Sequence, residues 1–274
     1  MSEQASLSKS KFQVGLIGVG VMGEALISGL VSSRFPRAQI VFTEKRADRA
    51  REISSKYGAR EVDLIELAKS SDVILLVVKP QDLEQLLVSI GADLNKNATL
   101  VSFAAGKTTD FVSKIVGSDI SIIRVMPNTP TLIGLGMAAI SLGKSVNSEQ
   151  AEFVSEFLAT CGKVISIEEN LQDAVTALSG SGPAYFFAFV EEMIKSGISL
   201  GLSKDQATTL AIQTMVGSAA MLEQSGKSAT TLRENVTSPN GTTAAALKVF
   251  SEANLGEIVT RAMTAARDRS QELA

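Results

Sequence analysis

The 274-residue chain contains no histidine and no tryptophan, and it has a single cysteine, Cys161. The absence of histidine excludes Ser-His-Asp and Cys-His catalysis and every histidine-ligated metal site. One thiol forms no intramolecular disulfide and builds no thiolate zinc site, so we expect no metal and a reducing compartment, the cytoplasm. Cys161 is expected to be a buried small hydrophobe. Any reaction must therefore use a cofactor, a hydroxyl, a lysine, a carboxylate or the backbone.

The chain also has little that would attract nucleic acid or lipid. Its formal net charge is −3 and no long basic block occurs, so we expect neither nucleic acid nor a membrane as a partner. The most apolar run, residues 73–78, is far shorter than the ~20 residues that a membrane span needs. Residues 1–11 are polar and lack both arginine and an apolar core, which excludes a signal peptide and predicts a frayed tail.

The chain does contain an apolar stretch at residues 14–17 that leads into a glycine turn. Gly18, Gly20 and Gly23 have the G-x-G-x-x-G spacing of a strand–turn–helix that binds a dinucleotide, with the helix expected to begin near Glu24. The first glycine permits the tight turn, the second admits a pyrophosphate, and the third allows close packing of the helix. The alternative is a glycine-rich turn without a ligand. The residues expected to bind a cofactor here are Gly18, Val19, Gly20, Val21, Met22 and Gly23.

The residues after the second predicted strand, 39–43, bear on the choice of cofactor. Glu44 follows Gly23 by about 20 residues, where a carboxylate binds the ribose hydroxyls of NAD. Lys45 and Arg46 favour the 2′-phosphate of NADP instead. Because Glu44 can turn towards solvent, we expect Thr43, Lys45 and Arg46 to contact NADP(H), with NAD(H) as a second possibility. The alternative for the two cations is a solvated first turn of the helix predicted at residues 47–57, which is expected to end at Gly58.

Three further strands are predicted at residues 72–78, 99–103 and 120–125, and the first of these runs is apolar in the way that is typical of a parallel strand covered on both faces. Ligands of a doubly wound sheet lie outside the carboxyl ends of its strands. The small residues and prolines that follow these runs therefore outline one crevice, although such residues also simply terminate strands. The cofactor-binding residues expected there are Val78, Lys79, Pro80, Ala104, Ala105, Gly106 and Asn128.

The strand pattern ends after two more strands, at residues 136–142 and 163–167, which flank a helix at 149–160. We therefore predict an α/β fold with a Rossmann-like dinucleotide-binding domain at residues 1–168 and an all-helical domain at residues 169–274. One helix is expected to begin near Pro183, and another follows a capping box formed by Ser203 and Gln206. The second of these helices is apolar on more than one face. Because a domain of this size buries such a helix more easily against a partner subunit, we predict an obligate dimer. The alternative is a monomeric helix bundle.

Residues 237–243 combine hydroxyls, a proline and an Asn-Gly pair directly before a predicted helix at 244–252. The backbone N–H groups of Gly241, Thr242 and Thr243, together with the Ser238 hydroxyl, are suited to surround a carboxylate. The alternative is a hydroxyl-rich loop that only caps the helix.

Residues 232–244 resemble the C-terminal signature of the pyrroline-5-carboxylate reductases. Four other stretches agree with that family in kind and order, and the resemblance covers residues 12–266. These stretches are residues 18–23, 78–80, 124–130 and 180–185. The chain departs from the family at Glu44-Lys45, where members often have Asn or Ser followed by Arg, and near Leu64, where many carry an asparagine that touches the adenosine ribose.

The resemblance implies reduction of 1-pyrroline-5-carboxylate to L-proline by NAD(P)H, the last step of proline biosynthesis. It implies that the helical domain interlocks two subunits, with dimers often assembled into a ring. It further implies that Ser238 and the amides of residues 241–243 hold the substrate carboxylate, and that the hydroxyl of Thr243 is the catalytic group at the ring nitrogen. Residues 78–80 and 104–106 would flank the nicotinamide ribose and pyrophosphate.

This chemistry agrees with the lack of histidine. A cyclic imine is already an electrophile, so hydride addition requires only positioning and polarisation of the nitrogen. Two alternatives remain. A β-hydroxyacid-type dehydrogenase would need a lysine in the second domain, whose candidates Lys195, Lys204, Lys227 and Lys248 lie at helix ends or on polar faces. A non-catalytic NADP(H)-binding regulator would bind the cofactor without turnover.

Overall fold

The computed structural model describes residues 7–273, and within that range the strands form one eight-stranded sheet. The order across the sheet is β3-β2-β1-β4-β5-β6-β7-β8. Neighbours from β3 to β6 are parallel, β7 is antiparallel to β6, and β8 is parallel to β7. The strands are β1 (Val14–Ile17), β2 (Ile40–Thr43), β3 (Arg60–Glu61), β4 (Val73–Leu76), β5 (Thr99–Ser102), β6 (Ser121–Met126), β7 (Gly136–Leu142) and β8 (Gly162–Ser166).

The part from β3 to β6 has the strand order of a doubly wound Rossmann sheet, with its switch point between β1 and β4. The predicted α/β fold with a Rossmann-like N-terminal part is confirmed. The last two strands extend the sheet as expected. Because they run against the other strands, their carboxyl ends lie at the opposite edge, away from the crevice outlined by the parallel strands.

Helices connect these strands, and local signals in the sequence explain where several of them begin and end. Gly58 ends the second helix with φ +72°, as predicted, and Asn147 with Gln150 forms a capping box for the sixth. Asp63 accepts the N–H groups of Ile65 and Glu66 and so caps the third. The helices are α1 (Val21–Ser32), α2 (Ala47–Tyr57), α3 (Leu64–Ser70), α4 (Pro80–Ile90), α5 (Thr109–Val116), α6 (Ser148–Ala159) and α7 (Gln172–Val175), which continues as a π-helical turn at Thr176–Gly180.

The core lies on both faces of the sheet. Leu75 and Leu76 of β4 enter opposite layers because successive side chains of a strand point to opposite faces. One layer joins α1, α2 and α6, and the other joins α3, α4 and α5. The first layer includes Leu26, Ile53 and Phe157, and the second includes Leu67, Leu83 and Val112. The continuous apolar run of β4 is thus covered on both sides, as predicted.

Two expectations about single residues have clear outcomes. Cys161 is 5% exposed, and burial raises the pKa of its thiol, so its prediction as a buried hydrophobe is confirmed. The expectation of a frayed tail over residues 1–11 is wrong for Leu7, which is 2% exposed and belongs to the core. Residues 1–6 lie outside the described residues.

The helices that follow are α8 (Gly182–Ser199), α9 (Lys204–Gln224), α10 (Ala229–Asn235), α11 (Thr242–Glu252) and α12 (Leu255–Glu272). The chain divides into two compact units: one contains the described residues up to Ser181 and from Ala266 onward, and the other is Gly182–Ala265. The predicted domain boundary after residue 168 falls between the last strand, β8, and helix α7, and it remains a prediction. No helix within residues 7–273 combines the length and apolar character that a membrane crossing requires.

The Gly182–Ala265 unit, which we call the helical unit, has almost no core within one chain. All of its residues are described, and only Gly182, Ala207 and Ala211 are buried. The predicted capping box at the start of α9 is present. Apolar side chains of α9 are exposed in the single chain, with Ile212 at 50% and Val216 at 56%. An unpartnered helical unit of this kind needs a second surface to cover it.

Candidate active site

Each of the three glycines of residues 18–23, here called the glycine loop, has a different steric environment. Gly18 has φ +90°, and a Cβ there would lie 2.6 Å from the carbonyl oxygen of Val77. A Cβ on Gly23 would overlap the carbonyl of Gly18. A Cβ on Gly20 would meet no atom of residues 7–273 within 4 Å. Packing therefore requires the first and third glycines, whereas the second faces open space beside the loop.

The helix after this turn begins earlier than expected, at Val21 and not near Glu24. Gly20 is its N-cap residue, and among the described residues no side chain caps it. The N–H groups of a first helical turn have no partners within the helix, and they favour an anion. The open space at Gly20 and this uncapped helix start together fit the pyrophosphate of a dinucleotide.

One side of the glycine loop opens on a cavity of about 760 Å³, here called the large cavity. Six of the residues expected to bind a cofactor line it: Gly18, Gly20, Thr43, Lys45, Val78 and Lys79. Sequence reasoning missed the contribution of α4, whose Gln81, Gln85 and Ser89 also line the cavity. Their spacing of four residues places them on one helix face, which is a signal that the sequence contains. Leu64 lies at the same cavity.

A smaller cavity of about 350 Å³ adjoins it and shares Gly20, Val77, Val78 and Lys79. Its walls also include the expected residues Val21, Met22, Gly23 and Ala105. Pro127, one of the prolines expected to outline the crevice, also lines this small cavity, whereas sequence reasoning missed Phe103 and Met126 at the ends of β5 and β6. The structure thus brings together the glycine loop and the residues after β2, β4, β5 and β6, as the crevice prediction required.

Six expected cofactor residues lie outside the walls of these two cavities, and their role in binding stays a prediction. They are Val19, Arg46, Pro80, Ala104, Gly106 and Asn128. Pro80 occupies the first turn of α4, and Arg46 is the N-cap residue of α2. Asn128 has a structural contact, because its Oδ1 accepts the backbone N–H of Met137 at 2.8 Å.

Contrary to the expectation from the sequence, the side chain of Glu44 does not turn towards solvent. Its Oε2 accepts the backbone N–H of Val19 at 3.1 Å, and its Oε1 accepts the N–H of Arg46 at 3.1 Å. Both carboxylate oxygens are therefore held by backbone amides. Glu44 lines the large cavity and forms part of the framework of the glycine loop.

Arg49 supports the same loop from α2. Its Nε donates to the carbonyl oxygen of Val19 at 3.0 Å, and its other nitrogens pair with Glu24 and Glu52. Hydrogen bonds from Lys56 and Arg49, with a further one from Tyr57, lower the pKa of Glu24 to about 2. Glu24 therefore stays ionised at neutral pH and holds the guanidinium of Arg49 in place.

Arg124 of β6 is buried and lies between two acidic side chains. It belongs to residues 124–130, one of the stretches that resemble the family. Its guanidinium lies 3.6 Å from Glu169 and 3.7 Å from Asp173. Glu169 in turn accepts both the N–H and the hydroxyl of Thr109 at the start of α5, and Asp173 accepts the hydroxyl of Ser270. Within residues 7–273, no group of three or more Cys, Asp or Glu side chains is arranged to hold a metal ion.

In the helical unit, residues 237–243 comprise a tight turn and the first two residues of α11, and we call them the Ser238 loop. Asn240 has φ +59°, and the N–H of Gly241 donates to the carbonyl of Ser238 at 3.0 Å. A Cβ on Gly241 would lie 2.9 Å from the Ser238 Oγ, so this hydroxyl sits directly over the start of the helix.

Helix α11 begins at Thr242, two residues earlier than expected, so Thr242 and Thr243 both lie in its first turn. Among the residues that the structure describes, no side chain caps this helix, whose N-cap residue is Gly241. The alternative of a loop that serves only as a cap is therefore not favoured, since the hydroxyls leave the first-turn N–H groups unbonded by side chains. The arrangement is suited to a carboxylate.

Comparison with known proteins assigns both parts of the chain. A family model described as pyrroline-5-carboxylate reductase dimerisation matches residues 169–273. A second model, described as NADP oxidoreductase, coenzyme F420-dependent, matches residues 13–106, which contain the glycine loop and β1 to β5. The pyrroline-5-carboxylate reductase of Corynebacterium melassecola is 38% identical over 264 residues, which is 95% of this chain and 98% of that protein.

Solved structures agree with this assignment. A pyrroline-5-carboxylate reductase from Coxiella burnetii superposes with a TM-score of 0.91 at 32% identity, covering 97% of this chain and 99% of that one. The pyrroline carboxylate reductase of Plasmodium falciparum, solved with NADP bound, has a TM-score of 0.86 at 30% identity and covers 96% and 98% of the two chains.

Proposed function

The chain belongs to the pyrroline-5-carboxylate reductase family, and we propose that it reduces 1-pyrroline-5-carboxylate to L-proline, the last step of proline biosynthesis. It is an oxidoreductase that acts on a carbon–nitrogen bond, with NADP(H) as the preferred cofactor and NAD(H) as a second one. The observation that carries the proposal is the uncapped start of α11 beneath the Ser238 hydroxyl, because it supplies the donors that a carboxylate substrate needs.

The residues around the glycine loop would hold the cofactor. The first-turn amides of α1 bind the pyrophosphate, and the open space at Gly20 admits it. Lys45 faces the large cavity and, with Arg46, binds the 2′-phosphate. The small cavity, with Met22, Ala105 and Pro127 among its walls, takes the nicotinamide end. When bound, the reduced nicotinamide supplies the hydride.

The substrate residues are Ser238, Gly241, Thr242 and Thr243. The Ser238 hydroxyl and the amides of residues 241–243 bind the carboxylate and so fix the position of the imine ring. The hydroxyl of Thr243, in the first turn of α11, hydrogen-bonds the ring nitrogen and polarises the C=N bond, while the proton that the nitrogen gains comes from solvent. No histidine is involved because the C=N bond is electrophilic once its nitrogen is polarised.

Self-association follows from the match of residues 169–273 to the dimerisation model and from the exposed apolar side chains of the helical unit. We infer further that the dimers assemble into a ring, that the enzyme works in the cytoplasm, and that it has no nucleic-acid or membrane partner. A net charge of −3 without a basic block supports the last point.

A β-hydroxyacid-type dehydrogenase is not favoured, because the lysines of the helical unit lack the environment of a catalytic base. Lys195 is exposed and pairs with Glu191 and Glu192 at 2.7 Å, and these hydrogen bonds raise its pKa. Lys248 pairs with Glu252 at 3.8 Å on an exposed face. A catalytic base near neutral pH requires a lowered lysine pKa.

The proposal is tested by the rate of NADPH or NADH oxidation with and without 1-pyrroline-5-carboxylate. A substrate-dependent rate, with L-proline as product, is expected with NADPH and a lower one with NADH. Binding of NADPH without any substrate-dependent rate would support the non-catalytic regulator instead. A rate only with 3-hydroxy acids and NADP⁺ would support the dehydrogenase.

A further inference from the structure

The peptide groups on both sides of Val19 are each held by a charged side chain from outside the glycine loop. Glu44 accepts the N–H of Val19 at 3.1 Å, and Arg49 donates to its carbonyl oxygen at 3.0 Å. The side chain of Val19 is itself fully buried. This residue lies between the turn at Gly18 and the open position at Gly20, so its orientation determines the direction of the following backbone.

Arg49 is well placed to hold the carbonyl of Val19 because its guanidinium has little freedom. Only 11% of its side chain is exposed, and two of its nitrogens pair with Glu24 and Glu52, the latter at 2.7 Å. Glu24 accepts further hydrogen bonds from Lys56 and Tyr57 at 2.8 and 2.9 Å. The planar fork of an arginine suits such a contact, because it donates in several fixed directions at once.

A loop with two glycines in three residues has a wide choice of backbone conformations. Ordering it on ligand binding costs conformational free energy, and contacts that order it beforehand lower that cost. The contacts of Arg49 act on the part of the loop that faces the pyrophosphate, which NADPH and NADH share.

We propose that Arg49 is a positioning residue that holds the glycine loop in its cofactor-binding conformation, without touching the cofactor. The proposal rests on the proposed function only in taking the loop to bind a nicotinamide dinucleotide. A positioning role of this kind weakens both cofactors by the same factor when it is lost. A ligand of the 2′-phosphate would weaken NADPH alone.

The test measures dissociation constants of NADPH and NADH by reduced-nicotinamide fluorescence, in the absence of 1-pyrroline-5-carboxylate. Arg49→Ala is expected to raise both constants by the same factor, about tenfold, from the usual size of a hydrogen bond to a charged group. The Michaelis constant for 1-pyrroline-5-carboxylate and kcat at saturating cofactor are expected to stay within about twofold. Arg51→Ala, an exposed change on the same helix, is the matched control and should leave both constants unchanged.

Arg49→Lys separates position from charge. The lysine keeps a positive charge beside Glu24 and Glu52 but lacks the Nε donor, so we expect it to weaken both cofactors as the alanine does. Because Arg49→Lys also keeps the ion pairs, we expect it to fold even if Arg49→Ala does not, so the dissociation constants can still be measured. In the cofactor-free protein, amides of residues 18–23 should exchange with deuterium faster in Arg49→Lys, while exchange of β5 and β6 stays unchanged.

Four outcomes contradict the proposal. Full affinity in Arg49→Lys would show that charge alone matters, and weakening of NADPH alone would make Arg49 a 2′-phosphate ligand. Unchanged constants with unchanged exchange would show that the Val19 contact has no role in binding, and a wild-type chain that binds neither dinucleotide would remove the premise. Normal binding without reduction of the imine would overturn the proposed function and leave this inference standing.

Discussion

Gly18 lies against Val77 at the switch point of the sheet, where a Cβ on Gly18 would come within 2.6 Å of the Val77 carbonyl oxygen. The two residues follow the neighbouring strands β1 and β4, and the N–H of Val77 donates to the carbonyl of Ile17 at 3.0 Å. The turn is therefore packed against the next strand and not merely permitted by a missing side chain. The three glycines of the loop consequently differ in what a side chain would disturb.

The first prediction concerns Gly18→Ala, Gly20→Ala and Gly23→Ala. The first and third changes are expected to lower the free energy of unfolding by about 2 kcal/mol or more, because of backbone overlap and, at Gly18, the positive φ. Gly20→Ala is expected to change it by less than about 1 kcal/mol while raising the dissociation constants of NADPH and NADH. Denaturant unfolding and fluorescence titration measure the two effects. Normal cofactor affinity in Gly20→Ala would contradict the assignment of the open space to the pyrophosphate.

The second prediction concerns the choice between NADPH and NADH. Lys45→Ala combined with Arg46→Ala removes two cations after β2, so the Michaelis constant for NADPH should rise at least about tenfold. That for NADH should change little, since NADH has no 2′-phosphate. Arg51→Ala is again the control. If NADPH is used as well as before, these two residues do not bind the phosphate.

The third prediction concerns Thr243→Val, which removes a hydroxyl but keeps the shape of the side chain. We expect kcat to fall about 100-fold, as for the loss of a donor to a developing charge, with the dissociation constant of NADPH nearly unchanged. Steady-state kinetics and fluorescence titration measure the two quantities. Thr230→Val, an exposed change in α10, should affect neither. Equal losses in turnover and cofactor binding would show that Thr243 does not act on the imine nitrogen.

The fourth prediction concerns the helical unit. Ile212 and Val216 lie one helical turn apart on α9 and are half exposed, at 50% and 56%. We expect Ile212→Glu with Val216→Glu to yield monomers and to lower the unfolding temperature, because each charge would be buried twice in a symmetric interface. Light scattering measures the mass. The control Gln213→Glu should remain dimeric, and a dimeric double variant would place the subunit contact on another face.

The sequence predicts those elements that have both a periodic pattern and a local start or stop signal. Helix α2 is predicted at its observed bounds because Gly58 ends it in the left-handed region. Helix α9 begins after the capping box of Ser203 and Gln206, also as predicted. These signals depend only on neighbouring residues, which explains why sequence alone is enough.

Features that depend on tertiary contacts could not be predicted in this way. Strand β3 has two exposed residues and exists through its pairing with β2. The reversed direction of β7 depends on the turn at Thr129–Ile133, since the composition of a buried strand does not encode its direction. Pro80 ends one predicted element, but it also opens α4, whose side chains line the large cavity.

The candidate site likewise combines features that local sequence patterns predict with features that depend on tertiary contacts. The glycine spacing and the hydroxyl-rich turn before α11 are local patterns, and sequence reasoning found both. The contacts of Glu44 and Arg49 with Val19 join residues 25 and 30 positions apart. Charge alone indicated a solvent-facing Glu44, because nothing local shows that the backbone N–H of Val19 points at it.

The most direct test of the proposed reaction follows the hydrogen that NADPH transfers to the imine carbon. The enzyme is supplied with 1-pyrroline-5-carboxylate and NADPH that carries deuterium at C4 of the nicotinamide, with each face labelled in a separate preparation. Mass spectrometry and NMR of the product should find L-proline with one deuterium at C5 from one of the two preparations. Proline without deuterium from both, or no proline at all, would contradict direct reduction of the imine by this chain.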